Sequence, residues 1–190
     1  MKNEPLSGRS MPETGNAKTE YKAYYHLPGL FEFYELYKVF LPLYREHREY
    51  FYDWCDIGSV YGAPGDCLWG GGRVGYGDSD AGDALELMSE YGISARLTFS
   101  NSLLRPEHLA DKRCNDLCRA FEDGGAVAYD TQSESVMLRL NQSEDKAYVQ
   151  NGVIVHSELL LDYLREHYQG LYLVSSTTKV ITDFDLFSAE

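Results

Sequence analysis

The chain has 190 residues, 44% of them hydrophobic and 14% aromatic, which is enough for one domain with a sizeable core. Thirty acidic residues against 17 basic ones give a formal net charge of −13, which excludes a non-specific grip on nucleic-acid phosphates but leaves RNA open as a substrate met by a local basic patch. No apolar run approaches the roughly 20 residues of a bilayer span, the first twenty residues lack the apolar core of a signal peptide, and four cysteines are too few for a disulfide framework. The expectation is a cytoplasmic protein without a membrane partner, its thiols reduced.

Residues 1 to 20 contain no aromatic residue and few apolar ones, so ordering them costs more entropy than burial returns, and they read as a disordered tail before a single domain over 21–190. From Tyr21 to Trp54 the composition reverses, with thirteen of the chain's twenty-six aromatics. Leu30, Phe33, Tyr34, Tyr37 and Leu41 fall on one stripe of a helix that Pro42 ends or kinks. Residues 54–62 form the first expected strand, and a glycine-rich loop follows it. Asp80 caps a helix carrying Ala84, Leu85, Met88 and Tyr91, with Gly92 at its C-terminal end. Ile93 to Phe99 is the second strand, ending in Ser100-Asn101-Ser102, and Pro106 opens a helix with Leu109, Ala110, Cys114, Leu117, Cys118 and Phe121 on its apolar side. A polar insert at about 126–149 follows, either a mobile loop or a short hairpin around Val136 to Leu140.

The end of the chain is the most regular part. Gly152 to Val155 is an apolar strand, Ser157 an N-cap, and Leu160, Leu161, Leu164 and Tyr168 recur at helical spacing before Gly170 stops the helix. Leu171 to Val174 is a fourth strand, Ser175 to Lys179 its polar end, and the start of another helix follows. Short apolar strands alternating with helices are parallel βαβ units. Four strands and three helices fit a doubly wound sheet or about half of a β/α barrel, since a complete barrel takes about 250 residues.

In a β/α barrel the residues just past each strand build the site. They are Tyr61, Asn101, His156 with Ser157, and Ser175, Ser176, Thr177, Thr178 and Lys179, a set of hydrogen-bonding groups suited to a polar substrate. His156 is the candidate catalytic acid or base, with capping of the next helix as its structural alternative. Ser157 reads as a cap and not a nucleophile, because no activating base is paired with it. Gly70-Gly71-Gly72-Arg73-Val74-Gly75 fits a dinucleotide fingerprint, but no helix opens within it and no acidic residue ends the next strand, so it reads as a flexible loop over the mouth. Cys114 and Cys118 share a helix face with Leu117 and Phe121 and read as small buried hydrophobes. The histidines show no metal spacing, and neither metal nor cofactor is assigned to this chain's own residues.

Two stretches carry a family resemblance. The run VIVHSELLLDYLREHYQGLYLVSSTTKVIT from Val153, and GISARLTFSNSLL from Gly92, resemble the strand, Leu-rich helix and strand ending in Ser-Thr, and the second strand ending in Asn-x-Leu-Leu, of the U32 family of collagenase-like peptidases. Asp56 to Gly62 is similar to that family's first strand. The resemblance covers about half of the chain and implies a TIM-like barrel, with peptide hydrolysis or, in several branches, iron–sulfur-dependent hydroxylation of RNA bases or quinone precursors. The family's cysteine cluster has no counterpart here, so the chain is expected to be the N-terminal half of such a barrel protein. Its expected partners are a small-molecule, peptide or RNA substrate, and the remaining barrel half or a second copy joined through an exposed sheet edge. The alternative is a self-contained, non-catalytic α/β binding module.

Overall fold

The computed structural model describes residues 23–72, 75, 78–124, 126–128, 147–179, 182 and 188. The expected tail and the expected hairpin at Val136 to Leu140 lie outside those residues. The first element was not foreseen: Ala23–Pro28 is a strand, β1. Gly29 follows it with φ +84°, where a side chain is strained, and turns the chain so that Leu30 N donates to Tyr61 O. Leu30 and Phe31 are thereby buried in this turn and not in the helix. Helix α1, Tyr34–Glu46, buries Tyr37 and Leu41 and does not end at Pro42, which lies inside it. An interior proline costs about 3 kcal/mol. The aromatic packing of Tyr44 on Phe40 and Phe51 holds the turn beyond it.

Strand β2 is Cys55–Gly62, and helix α2, Ala81–Glu90, starts where the Asp80 carboxylate accepts from Gly82 N at 2.7 Å. Gly92, at φ +64°, turns the chain into β3, Ser94–Phe99. The helix expected from Pro106 is divided: Pro106–Ala110 is a 3-10 turn, and Asp111 caps a new helix α3, Lys112–Asp123. Strands β4, Ala126–Ala128, and β5, Ala147–Val149, pair antiparallel and bracket the polar insert. Strand β6, Gly152–Val155, helix α4, Glu158–His167, and strand β7, Tyr172–Ser175, complete the described chain, with Ser157 as the α4 cap.

The main sheet is parallel throughout and ordered β1-β2-β3-β6-β7. Each strand lies beside the next one in the chain, without the reversal of a doubly wound sheet, so right-handed crossovers place every helix on the same face. The result is an α/β half-barrel of five strands, one more than the sequence reading counted. On the helical face Val60, Ala95, Leu97, Phe99, Val153 and Val155 are buried against Phe31, Met88, Phe121 and Leu160, each large side chain contributing roughly 1.5–3 kcal/mol. The opposite, concave face carries the alternate residues of the same strands, polar on β3 with Ser94, Arg96 and Thr98, and mixed on β6 and β7 with Gly152, Ile154, Tyr172 and Val174.

Candidate functional site

Parallel register sets side chains of adjacent strands in rows. Tyr61 lies beside Arg96, Arg96 beside Gly152, and Gly152 beside Tyr172. Alternation along β3 puts Ser94, Arg96 and Thr98 on the concave face and Ala95, Leu97 and Phe99 in the core. Gly152 has no side chain in this row because a Cβ there would come within 2.2 Å of the Tyr172 carbonyl. The gap lets the Arg96 side chain lie across β6, its guanidinium carbon 5.2 Å from the centre of the Tyr172 ring.

Arg96 is only 7% exposed, yet it forms no ion pair with a described carboxylate, and its Nε has no hydrogen-bond partner among the described residues. Thr98 Oγ1, one step along the same face, is likewise buried and unpartnered. Burial lowers the guanidinium's pKa from its ordinary value, against the opposing effect of Tyr172. The flanking Tyr61, Thr98, Ile154, Tyr172 and Val174 are all partly exposed.

On the other side of the row, the register between β1 and β2 shifts between Tyr25 and His26, leaving Gly58 of β2 without a counterpart, and the His26 ring meets Ser59 Oγ at 2.7 Å. Gly58 makes room for it, since a Cβ there would stand 2.9 Å from His26 Cε1. Desolvation first, and the charge of Arg96 second, hold the His26 imidazole below its usual pKa. The folded protein therefore binds this proton less tightly than the unfolded chain does. The stability this group confers is complete above about pH 6.5 and is lost as pH falls through the lowered folded value. Urea unfolding as a function of pH checks this: His26→Gln is expected to flatten part of the acid loss that sets in below about pH 6.5. Equal slopes in both proteins would remove His26 from the account.

The candidates from sequence fall into three places. Tyr61 belongs to the concave row. Asn101 is occupied structurally, its amide donating to Leu68 O at 2.9 Å and accepting from Leu103 N, which ties down the loop after β2. His156, Ser176, Thr178 and Lys179 do come together, at the ends of β6 and β7. His156 Nδ1 is 2.8 Å from Thr178 Oγ1, Ser176 Oγ is 2.8 Å from the same hydroxyl, and Lys179 Nζ reaches Glu158 at 2.6 Å. Those groups are largely satisfied by one another. Ser175 and Thr177 are exposed beside them. Arg96, Thr98 and His26 were missed, although the alternation S-A-R-L-T-F in β3 carried the signal for the first two.

The iron–sulfur cluster of some U32 branches does not suit the thiols present. Cys67, Cys114 and Cys118 are wholly buried in the packed core, and Cys67 Sγ lies 3.5 Å from Cys114 Sγ. That hydrogen bond lowers the Cys67 pKa to about 7 and raises that of Cys114. Among the described residues no three His, Cys, Asp or Glu side chains gather to hold a metal, and no helix is long and apolar enough to cross a membrane. An open groove on the helical layer, between the starts of α2 and α3, is lined by Lys112 and Asp116, which pair with each other at 2.5 Å. Comparisons with protein-family models, with curated proteins and with solved structures find no match to this chain.

Proposed function

We propose that this chain is the N-terminal half of a U32-like β/α-barrel protein, of the peptidase-like or iron–sulfur-dependent hydroxylase-like kind, and that it holds a polar substrate on the concave face near the C-terminal ends of its strands. The sequential order of five parallel strands supports the barrel reading, since that order continues naturally into further β/α units. The observation that carries the binding reading is the inner row of β3, where buried Arg96 and the buried hydroxyl of half-buried Thr98 hold unused hydrogen-bonding groups. A finished barrel fills its interior with branched apolar side chains. A face that keeps hydroxyls and a guanidinium instead is suited to a ligand. His156 is retained as the candidate acid or base at the rim.

A self-contained, non-catalytic binding module is the second reading, and β1 with α1 favours it by adding an ordered unit at the start of the sheet. The two readings share the same ligand face and differ in stability. A half of a larger barrel unfolds without cooperativity or aggregates when alone, whereas a module shows one cooperative transition. The binding reading is tested by screening the full 190-residue chain, labelled with ¹⁵N, against a mixed library of small polar molecules. Shifts are expected at the amides of Tyr61, Thr98, Ile154 and Tyr172. Hits confined to the groove between α2 and α3, or none anywhere, would sink it.

A further inference from the structure

We infer that the concave face is a carboxylate-binding site, in which the Arg96 guanidinium and the Thr98 hydroxyl receive the carboxylate of a small organic acid or of a peptide's end. The inference rests on the ligand-face reading above and gives that ligand its chemical class. A buried guanidinium is costly unless an anion and well-placed acceptors offset it. Arg96 is 7% exposed, has no described carboxylate beside it, and holds its Nε unpartnered. Two β-strand positions further along the same face, Thr98 keeps an unused hydroxyl.

The shape of the donor set decides between oxyanions. The Nε and one Nη of a guanidinium form a planar fork that matches the two oxygens of a carboxylate. Arg96 brings one positive charge, and around it stand a hydroxyl, the Tyr61 and Tyr172 side chains, and the apolar Ile154 and Val174. His26 is a weak source of a second charge at neutral pH, because burial and the Arg96 charge both lower its imidazole's pKa. One charge balances a carboxylate and leaves a phosphate dianion undercompensated in a low-dielectric setting. Ile154 and Val174 then supply an apolar wall for whatever carbon skeleton carries the acid. The contact with the Tyr172 ring, at 5.2 Å, restrains the guanidinium before any ligand arrives, which lowers the entropy lost on binding.

The test uses the full chain labelled with ¹⁵N and titrated with acetate, lactate, N-acetylglycine, inorganic phosphate and acetamide, the last being the uncharged isostere of acetate. Saturable shifts are expected with the three carboxylates at the amides of Arg96, Thr98, Gly152, Ile154 and Tyr172. Affinity is expected to fall about tenfold to a hundredfold in Arg96→Met, the loss of a hydrogen-bonded charge, and to be partly kept in Arg96→Lys. Tighter binding of N-acetylglycine than of acetate or lactate assigns the carboxylate to a peptide end, and the reverse order to a free acid. Because Arg96 is unpaired without ligand, Arg96→Met is also expected to melt at the same temperature as the parent protein or higher. A purely structural arginine would make that variant melt lower, and this result would overturn the inference. Acetamide binding as well as acetate, with Arg96→Met unaffected, would also overturn it while leaving the polar-ligand reading standing. Phosphate saturating below every carboxylate would put the ligand in the wrong class. Silence from all five probes, with no shift in the polar screen either, would remove both.

Discussion

Trp69→Ala is expected to destabilise the fold by about 3–5 kcal/mol, a large share of the 5–15 kcal/mol typical of a whole domain. Trp69 stands in the loop between β2 and α2, where a glycine-rich sequence suggests little core, and it has no exposed surface. Its ring meets Phe99 at 5.3 Å and Tyr163 at 5.9 Å, both edge-on, and its indole N–H donates to His108 O at 2.8 Å. Its own carbonyl accepts from Asn101 N. One side chain therefore binds the β2 loop, the β3 loop and α4 together at the end of the barrel where the site lies. Alanine leaves a cavity bounded by rings that cannot collapse and strands the His108 carbonyl. Trp69→Phe keeps most of the ring contacts and is expected to cost closer to 1 kcal/mol, for the lost hydrogen bond. Urea unfolding of both variants measures the difference. A loss under about 1 kcal/mol for the alanine variant would mean that the loop packs loosely and does not brace the mouth.

The repeating β/α pattern was legible because each helix after the first carries its own punctuation. Asp80 and Ser157 accept from backbone amides at the helix starts, and Gly92 turns left-handed at a helix end, whereas Asp111, which caps α3, was passed over in favour of Pro106. Strand β1 was not legible. Its Tyr24, Tyr25, His26 and Leu27 sit in an aromatic-rich stretch dominated by the helical stripe behind it, and burial along the strand does not alternate, Tyr25 and His26 both being exposed. The glycine-rich loop misled in the same way: glycine content implied freedom, while Gly70 and Gly72 N–H groups close on Cys67 O and bury Cys67 and Trp69. Composition reports what a segment is able to do; tertiary contacts decide what it does.

The site was half legible for a related reason. The residues past the strand ends could be found from the barrel analogy, and His156, Ser176, Thr178 and Lys179 do converge. What the analogy did not supply was direction. The strand from Ile93 to Phe99 was read for its length and its polar end, not for which face each residue takes, which hid the one residue whose charge most needs an explanation. Arg96 becomes conspicuous only once the register sets Gly152 beside it and Tyr172 beyond, because burial of a guanidinium is decided by neighbours on other strands.

Asn151→Ala is expected to cost about 3–5 kcal/mol, and the cause is several unmet backbone groups, not lost volume. Asn151 is 3% exposed at the entry to β6. Its side-chain oxygen accepts from Ala95 N at 2.9 Å, and its amide nitrogen donates to Phe121 O at 3.1 Å and Gly124 O at 3.0 Å. Its main-chain carbonyl accepts from Tyr172 N. The residue thus joins β3, the end of α3 and β7 around the start of β6. It immediately precedes Gly152, so it sets the height at which the row of Arg96, Gly152 and Tyr172 meets. Alanine leaves three buried backbone groups without partners, each costing about 1–3 kcal/mol before the surroundings relax. Asn151→Asp separates the terms: it keeps the size and the acceptor for Ala95 N, but removes both donors and sets a carboxylate against two carbonyls. It is therefore expected to be at least as destabilising as alanine at neutral pH and to recover partly as acid protonates the carboxyl group. Denaturant midpoints for both variants at about pH 7 and about pH 4, spanning the ordinary aspartate range, read this directly. An aspartate variant as stable as the parent at neutral pH would show that the donors to Phe121 and Gly124 carry no weight, and that the register of the inner row is held elsewhere.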